Sequence, residues 1–313
     1  MVRRSLLVIP VLLSVSVVIF VALHLAPGDT ATVLLGPTAS TERLAALRTE
    51  LGLDRPLPLQ YLSWLNSLLH GQLGYSVSYR EDVWSLVFSR FTNTLLLAVP
   101  AFILATIVGV GAGIVGGLRR GEWVDALLST AAFTGLSMPA FWLGLLLILY
   151  AGLELGMFPV SGMQSAGLTT SAADTARHMV LPVLTLAVAP AAVVAQVTRV
   201  ALIEEMGKLY VRTARAKGCS RRRATLGHAL RNTWMSVGTT LALEVTYVVG
   251  GGVLVENVFN WPGIGKLLVE STVARDYPAV LGASLVLAVL FVLVNLTIDL
   301  LYPLLDPRVA HHG

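Results

Sequence analysis

The chain is poor in cysteine, poor in charge and empty of the common catalytic signatures, and each shortage removes a class of function. A single cysteine, Cys219, stands among 313 residues, so no intrachain disulfide can form, and no Cys/His spacing outlines a metal cage. Charged residues make up only 13%, against roughly 25% in soluble domains. Hydrophobic residues reach 55% and the mean hydropathy is +0.76, which excludes an ordinary soluble domain and implies a membrane protein. There is no H-E-x-x-H zinc motif, no G-x-S-x-G nucleophile elbow and no pair of intramembrane aspartates suited to proteolysis. Gly263-Ile264-Gly265-Lys266 looks like the end of a nucleotide-binding loop, but Leu267 follows where a Ser or Thr is needed. The chain is therefore expected to be no enzyme and to hold no cofactor or metal of its own. Its net charge of +4 is no footprint of nucleic acid. The basic residues gather at the ends of apolar runs, where membrane topology accounts for them.

What the chain does have is length of apolar sequence. Six stretches, at about 6–25, 94–118, 127–153, 179–198, 234–255 and 280–302, each approach or exceed the roughly 20 residues that a helix needs to cross a bilayer. The first follows Arg3 and Arg4 but lacks a small-x-small cleavage site, and Ala26-Pro27-Gly28-Asp29 comes after it. It reads as an uncleaved span rather than a signal peptide. With the N-terminus inside, fourteen Lys and Arg fall on the inner segments and eight on the outer ones, although the outer segments are longer. The positive-inside rule then places both termini in the cytoplasm. The expected fold class is an all-α integral membrane protein with six transmembrane helices.

The division that follows is a first transmembrane helix at 1–25, an outer-face helical region at 26–93, a core transmembrane domain at 94–302 and a cytoplasmic tail at 303–313. Within 26–93, Ser40 or Thr41 caps a helix, Pro56 and Pro58 precede a second at 60–69, and 82–88 forms a third amphipathic turn. Tyr61, Trp64 and Trp84 suit an interfacial belt. These helices either pack on the outer rim or form a platform for a partner, and the sequence leaves both readings open. The segment 156–178 reads as a Gly/Ser/Thr-rich loop, and Phe259 to Gly265 as a tight re-entrant or capping turn. Pro139, Pro182 and Pro190 lie inside spans and are expected to kink them. Gly109, Gly111, Gly113, Gly116 and Gly117 in the second span, and Gly250 to Gly252 in the fifth, permit close helix contact.

Two groups of residues are candidates for function. The first is the polar insert between the fourth and fifth spans, a cytoplasmic loop at 199–233. Its centre reads Tyr210, Val211, Arg212, Thr213, Ala214, Arg215, Ala216, Lys217 and Gly218, followed by Cys219, Ser220, Arg221 to Arg223, His228, Arg231 and Asn232. Such an insert cannot sit in lipid, and its helix-forming, alanine-containing core suits an organised surface that touches another protein. The second is Glu244, half-way along the fifth span, with Thr246 and Tyr247 beside it. A carboxylate at that depth costs about 2.5–3.5 kcal/mol on insertion scales, so it should face a cavity or a partner. It either braces helix packing or, with Tyr247, lines a translocation path. Asn295 and Asp299 read as ties between helices, His24 as incidental, and Gln196 and Arg199 as markers of the inner end of the fourth span.

These residues carry a family resemblance over nearly the whole chain. The run Tyr210 to Gly218 followed by His228-Ala229-Leu230-Arg231-Asn232 is similar to the signature loop of binding-protein-dependent ABC importer permeases, in the form of the first permease of dipeptide, oligopeptide and nickel systems. In the same order come Leu25 to Asp29, Leu51 to Pro56, Ser137 to Gly144, Val258 to Gly265, Arg275 to Pro278 and Leu305 to Arg308. The resemblance implies type I importer architecture in the cell membrane of a prokaryote. It also implies a second homologous permease subunit, two cytoplasmic ATPase subunits or domains that hold ATP and Mg, and an external solute-binding protein. The signature loop would fold into short coupling helices that dock on the ATPase. Cargo would be di- or oligopeptide, with nickel or another small solute as the alternative. A passive channel or proton-coupled transporter that uses Glu244 and needs no ATPase is the reading from a different class. The chain departs from the family pattern in having Thr233-Trp234-Met235-Ser236-Val237 without a proline after Asn232, Gln72 where aspartate is common, and an acid at Glu244.

Overall fold

The computed structural model describes residues 2–25, 31, 35–36, 39–50, 52–165 and 171–305. The expected motif residues Ala26 to Asp29, Leu51 and Asp306 to Arg308, and most of the tail, lie outside them. The described chain is almost wholly helical, as expected. Among the described residues, five helices are long and apolar enough to cross a membrane, six when the bent pair Trp123–Ser137 and Ala140–Glu154 is counted as one span.

Along the chain, α1 is Val2–Leu25, α2 Thr41–Glu50 and α3 Leu57–Leu69, followed by a two-residue ladder of β1 (Tyr75–Ser76) against β2 (Glu81–Asp82). Then come α4 (Val83–Leu118), α5 (Trp123–Ser137), α6 (Ala140–Leu147, continued by a π turn over Ile148–Glu154), α7 (Ala172–Gly207), α8 (Leu209–Ala216) and α9 (Arg221–Ala224). A π turn over Thr225–Ala229 leads into α10 (Leu230–Val258), α11 (Ile264–Val273) and α12 (Tyr277–Leu305). The turn expected at 82–88 is the first part of α4, so the second span begins before the apolar run does. Likewise the segment expected as a loop to residue 178 becomes helix at Ala172, behind Ser171 in extended conformation.

The chain divides into two compact units. The first comprises residues 1–94 and 262–293. Its core gathers Leu73, Val83, Leu86, Val87, Ile264, Leu267, Ala279, Ala283 and Leu287. Gly282 is required there, because a Cβ would fall 2.5 Å from the Val83 side chain. Buried Asp276 accepts from the Ser76 hydroxyl at 2.6 Å and the Ser78 N–H at 3.0 Å, fixing the small ladder at the start of α12. Tyr61 and Trp64 do come together: both pack with Phe20, and the Tyr61 hydroxyl bonds Ser16 at 2.9 Å. Trp84 is not among them and is 56% exposed. His24, expected to be incidental, stacks on Phe20 and bonds the Phe20 carbonyl and Gln60.

The second unit comprises residues 95–261 and 294–313. Its core is built on Ala98, Ala101, Ala105, Leu181, Leu186, Ala187, Val248, Val255 and Phe259. The small residues let backbones approach: a Cβ at Gly113 would lie 2.6 Å from the Ala195 carbonyl oxygen and 2.5 Å from the Thr198 Cβ. This is the close approach that membrane helices use in place of hydrophobic drive. Of Pro139, Pro182 and Pro190, only Pro139 marks a break. There α5 and α6 meet at 103°. Met138 before it is extended, at φ −84° and ψ 121°, as steric conflict with a following proline ring favours. Pro182 and Pro190 remain inside the continuous α7, so of these prolines only Pro139 ends a helix.

Candidate coupling site

The basic insert folds into an ordered feature within the second unit. Helix α7 ends at Gly207, Lys208 turns the chain in extended conformation, and α8 starts at once. One face of α8 is held by Val211, fully buried with Leu202, Ala224 and Ala229. The rest of its surface is open: Arg212, Thr213, Arg215 and Ala216 are exposed, as is the C-cap residue Lys217. Among the described residues, Arg212, Arg215 and Lys217 have no acidic partner in this chain, so three exposed cations on and just after α8 are left for something else.

The end of α8 is closed by Gly218, whose φ is +88°. Gly218 and Cys219 donate their N–H groups back to the Arg215 and Ala214 carbonyls at 3.0 and 3.1 Å. This left-handed cap suits glycine, which has no Cβ to oppose it.

The start of α8 is tied by a polar network. Buried Glu205 near the end of α7 accepts from both Lys208 Nζ and the Tyr210 hydroxyl. Asn232 Nδ2 on α10 donates to the same Tyr210 oxygen at 2.9 Å. Burial, and then the bond to Glu205, push the Tyr210 phenol above its ordinary pKa. Tyr210 thus joins α7, α8 and α10.

A second polar tie was not singled out from sequence. Asp125 on α5, 4% exposed, receives Arg199 of α7 in a two-pronged bond, Nε to Oδ1 at 2.5 Å and Nη2 to Oδ2 at 2.8 Å. The Gly121 N–H adds a third donor at 3.0 Å. Arg199 is therefore a structural clamp as well as a helix-end marker. The available signal was an aspartate just before the apolar run at 127–153 and an arginine just after the run at 179–198.

The path candidates are placed apart from this feature in the sequence of α10. Glu244 is half-buried and Tyr247 is 46% exposed. They are three residues apart and share a helix face. Among the described residues Glu244 has no hydrogen-bond or ion-pair partner. Asn295, expected to tie helices, is exposed, and the side chain of Asp299 lies outside the described set.

Comparison with known proteins gives a consistent result. Residues 109–311 match the model of the binding-protein-dependent transport system inner membrane component, and residues 1–98 match the N-terminal model of the same transport-system membrane component. The glutathione transport system permease protein GsiC of Escherichia coli K12 is 40% identical over 310 residues, covering 99% of this chain and 98% of that protein. The dipeptide transport system permease protein DppB of Escherichia coli K12 is 38% identical over 331 residues, with the same coverage. Among solved structures, an inward-facing form of the MetNI methionine ABC transporter superposes with a TM-score of 0.57 at 16% identity, covering 71% of this chain and 97% of that one. An amino acid ABC transporter gives 0.51 at 16% identity, covering 72% and 94%.

Proposed function

Since this chain belongs to the family of binding-protein-dependent transport system inner membrane components, we propose that it is the membrane-spanning permease subunit of an ATP-driven importer of short peptides, and that α8 is the handle gripped by its ATPase. The observation that carries this reading is the build of α8: it is anchored by Val211, it and its C-cap expose the three cations Arg212, Arg215 and Lys217, and Tyr210 links it to two long helices. Nothing in membrane topology alone calls for that much order. Peptide cargo is supported by full-length relatives named for dipeptide and for glutathione, itself a tripeptide.

In this reading both termini and α8 face the cytoplasm, supported by the excess of Lys and Arg on those segments. A second permease completes the path, two ATPase subunits bind ATP and Mg, and an external binding protein delivers cargo. The permease alternates between outward- and inward-facing forms. ATP-driven closure of the ATPases must favour one form over the other, since a ligand with equal affinity for both shifts nothing.

The test is uptake of a labelled dipeptide into proteoliposomes. The complete set of partners with ATP should accumulate it, and this chain alone should not. Uptake by the chain alone, driven by a proton gradient and abolished by Glu244→Gln, would establish the secondary-transporter reading instead.

A further inference from the structure

The bend between α5 and α6 forms one side of an open groove in the second unit, with a cavity volume of about 700 Å³. The groove is lined by Thr130, Thr134, Ser137, Phe133, Phe141 and Trp142, together with Met138 and Pro139 at the break. Thr130, Thr134 and Ser137 follow the spacing i, i+4, i+7 and so share one face of α5. The aromatic rings stand out beside them: Phe133 is 61%, Phe141 46% and Trp142 44% exposed.

A lipid-facing surface is a poor account of this lining. The Thr130 and Thr134 hydroxyls have no partner among the described residues. The Gly135 carbonyl cannot be satisfied in the helical way, because Pro139, four residues on, has no N–H. Broken helices with freed backbone groups are tolerated at membrane depth where they line a water-filled cavity or are buried in protein. The side chains also have a definite chemistry. Hydroxyls donate and accept, so those of Thr130 and Thr134 match both the C=O and N–H of a peptide backbone, while the Ser137 hydroxyl, which donates to the Phe133 carbonyl at 2.9 Å, can accept; the rings offer apolar contact to side chains of any size. No residue lining the groove is charged.

We propose that this groove is part of the wall along which cargo passes, holding peptides by hydroxyl contacts to their backbone and aromatic contacts to their side chains. This rests on the peptide-permease reading and deepens it, placing the cargo contact at the break of the third span and making it indifferent to side-chain charge.

The single native cysteine makes the test direct. In a Cys219→Ala parent, Thr134→Cys is introduced, and Val18→Cys, on the exposed apolar face of α1, serves as the lipid-facing control. Membranes holding the complete transporter are treated with a charged, water-soluble methanethiosulfonate. The Thr134→Cys protein should be modified and the Val18→Cys protein should not. Alanyl-alanine at ten times its half-saturating concentration, with binding protein present, should slow modification about tenfold, as simple occupancy requires. Alanyl-lysine and alanyl-glutamate at matched saturation should protect equally.

Failure of Thr134→Cys to react while ATP-driven uptake persists would overturn the proposal. So would reaction only when the second permease subunit is omitted, which makes the groove a subunit interface, or reaction that peptide does not slow. Uptake by the Cys219→Ala parent reports separately on the permease reading, so the two can fail independently.

Discussion

Tyr79 shows how a single side chain in the first unit is set by its surroundings. Its hydroxyl donates to Glu270 Oε2 at 2.8 Å, and the Arg90 guanidinium lies over its ring at 5.7 Å. Burial, followed by the bond to the Glu270 carboxylate, pushes its pKa up to about 12 from the ordinary 10.0. A folded-state pKa above the unfolded one means that the folded protein holds the proton more tightly. The stability contributed is therefore fully present below pH 10 and is lost as pH rises through about 12. An ultraviolet difference titration should show phenolate absorbance rising late, near pH 12, and Tyr79→Phe should remove that late component. Titration of the same component near pH 10 would contradict the geometry. None of this was legible in sequence, because Tyr79 and Glu270 are 191 positions apart. The same holds for Asp125 with Arg199 and for Tyr210 with Glu205 and Asn232. The residue types were visible, but their partners depend on which helices pack together.

At the scale of elements, the sequence was most informative where one periodic pattern dominated. The α8 segment was readable as a helix-forming, alanine-containing insert too polar to sit in lipid; that Val211 anchors it and leaves Arg212, Arg215 and Lys217 exposed is visible only in the structure. The apolar run at 127–153 was read as a single span because hydropathy averages over a window and is blind to direction. Pro139 was noticed, yet Pro182 and Pro190 look alike in sequence and sit inside an unbroken α7. What differs is the preceding residue: Met138 is extended, whereas Leu181 and Ala189 stay helical. The cap of α8 yields a prediction at this scale. A Cβ at Gly218 meets nothing within 4 Å, so Gly218→Val costs through its φ of +88° rather than by collision. Left-handed backbone costs an ordinary residue about 1–2 kcal/mol, more for a β-branched one. The variant should insert in the membrane normally but retain less ATPase subunit on copurification. Wild-type recovery of the ATPase with undiminished uptake would contradict the role given to that cap.

For the whole molecule, low charge and six apolar stretches were enough to indicate a helical membrane protein, and the family match over 109–311 and 1–98 places the chain among importer permeases. The fold shared with the methionine transporter, at 16% identity, shows how little of that architecture depends on particular apolar side chains. In the proposed function, α8 is the point where a separate motor takes hold. A photoreactive benzoylphenylalanine placed at Arg215, on the exposed face of α8, addresses that point in membranes containing the complete transporter. Irradiation should join this chain to the ATPase subunit. An adduct with the external binding protein, or no protein adduct while transport proceeds, would contradict the account.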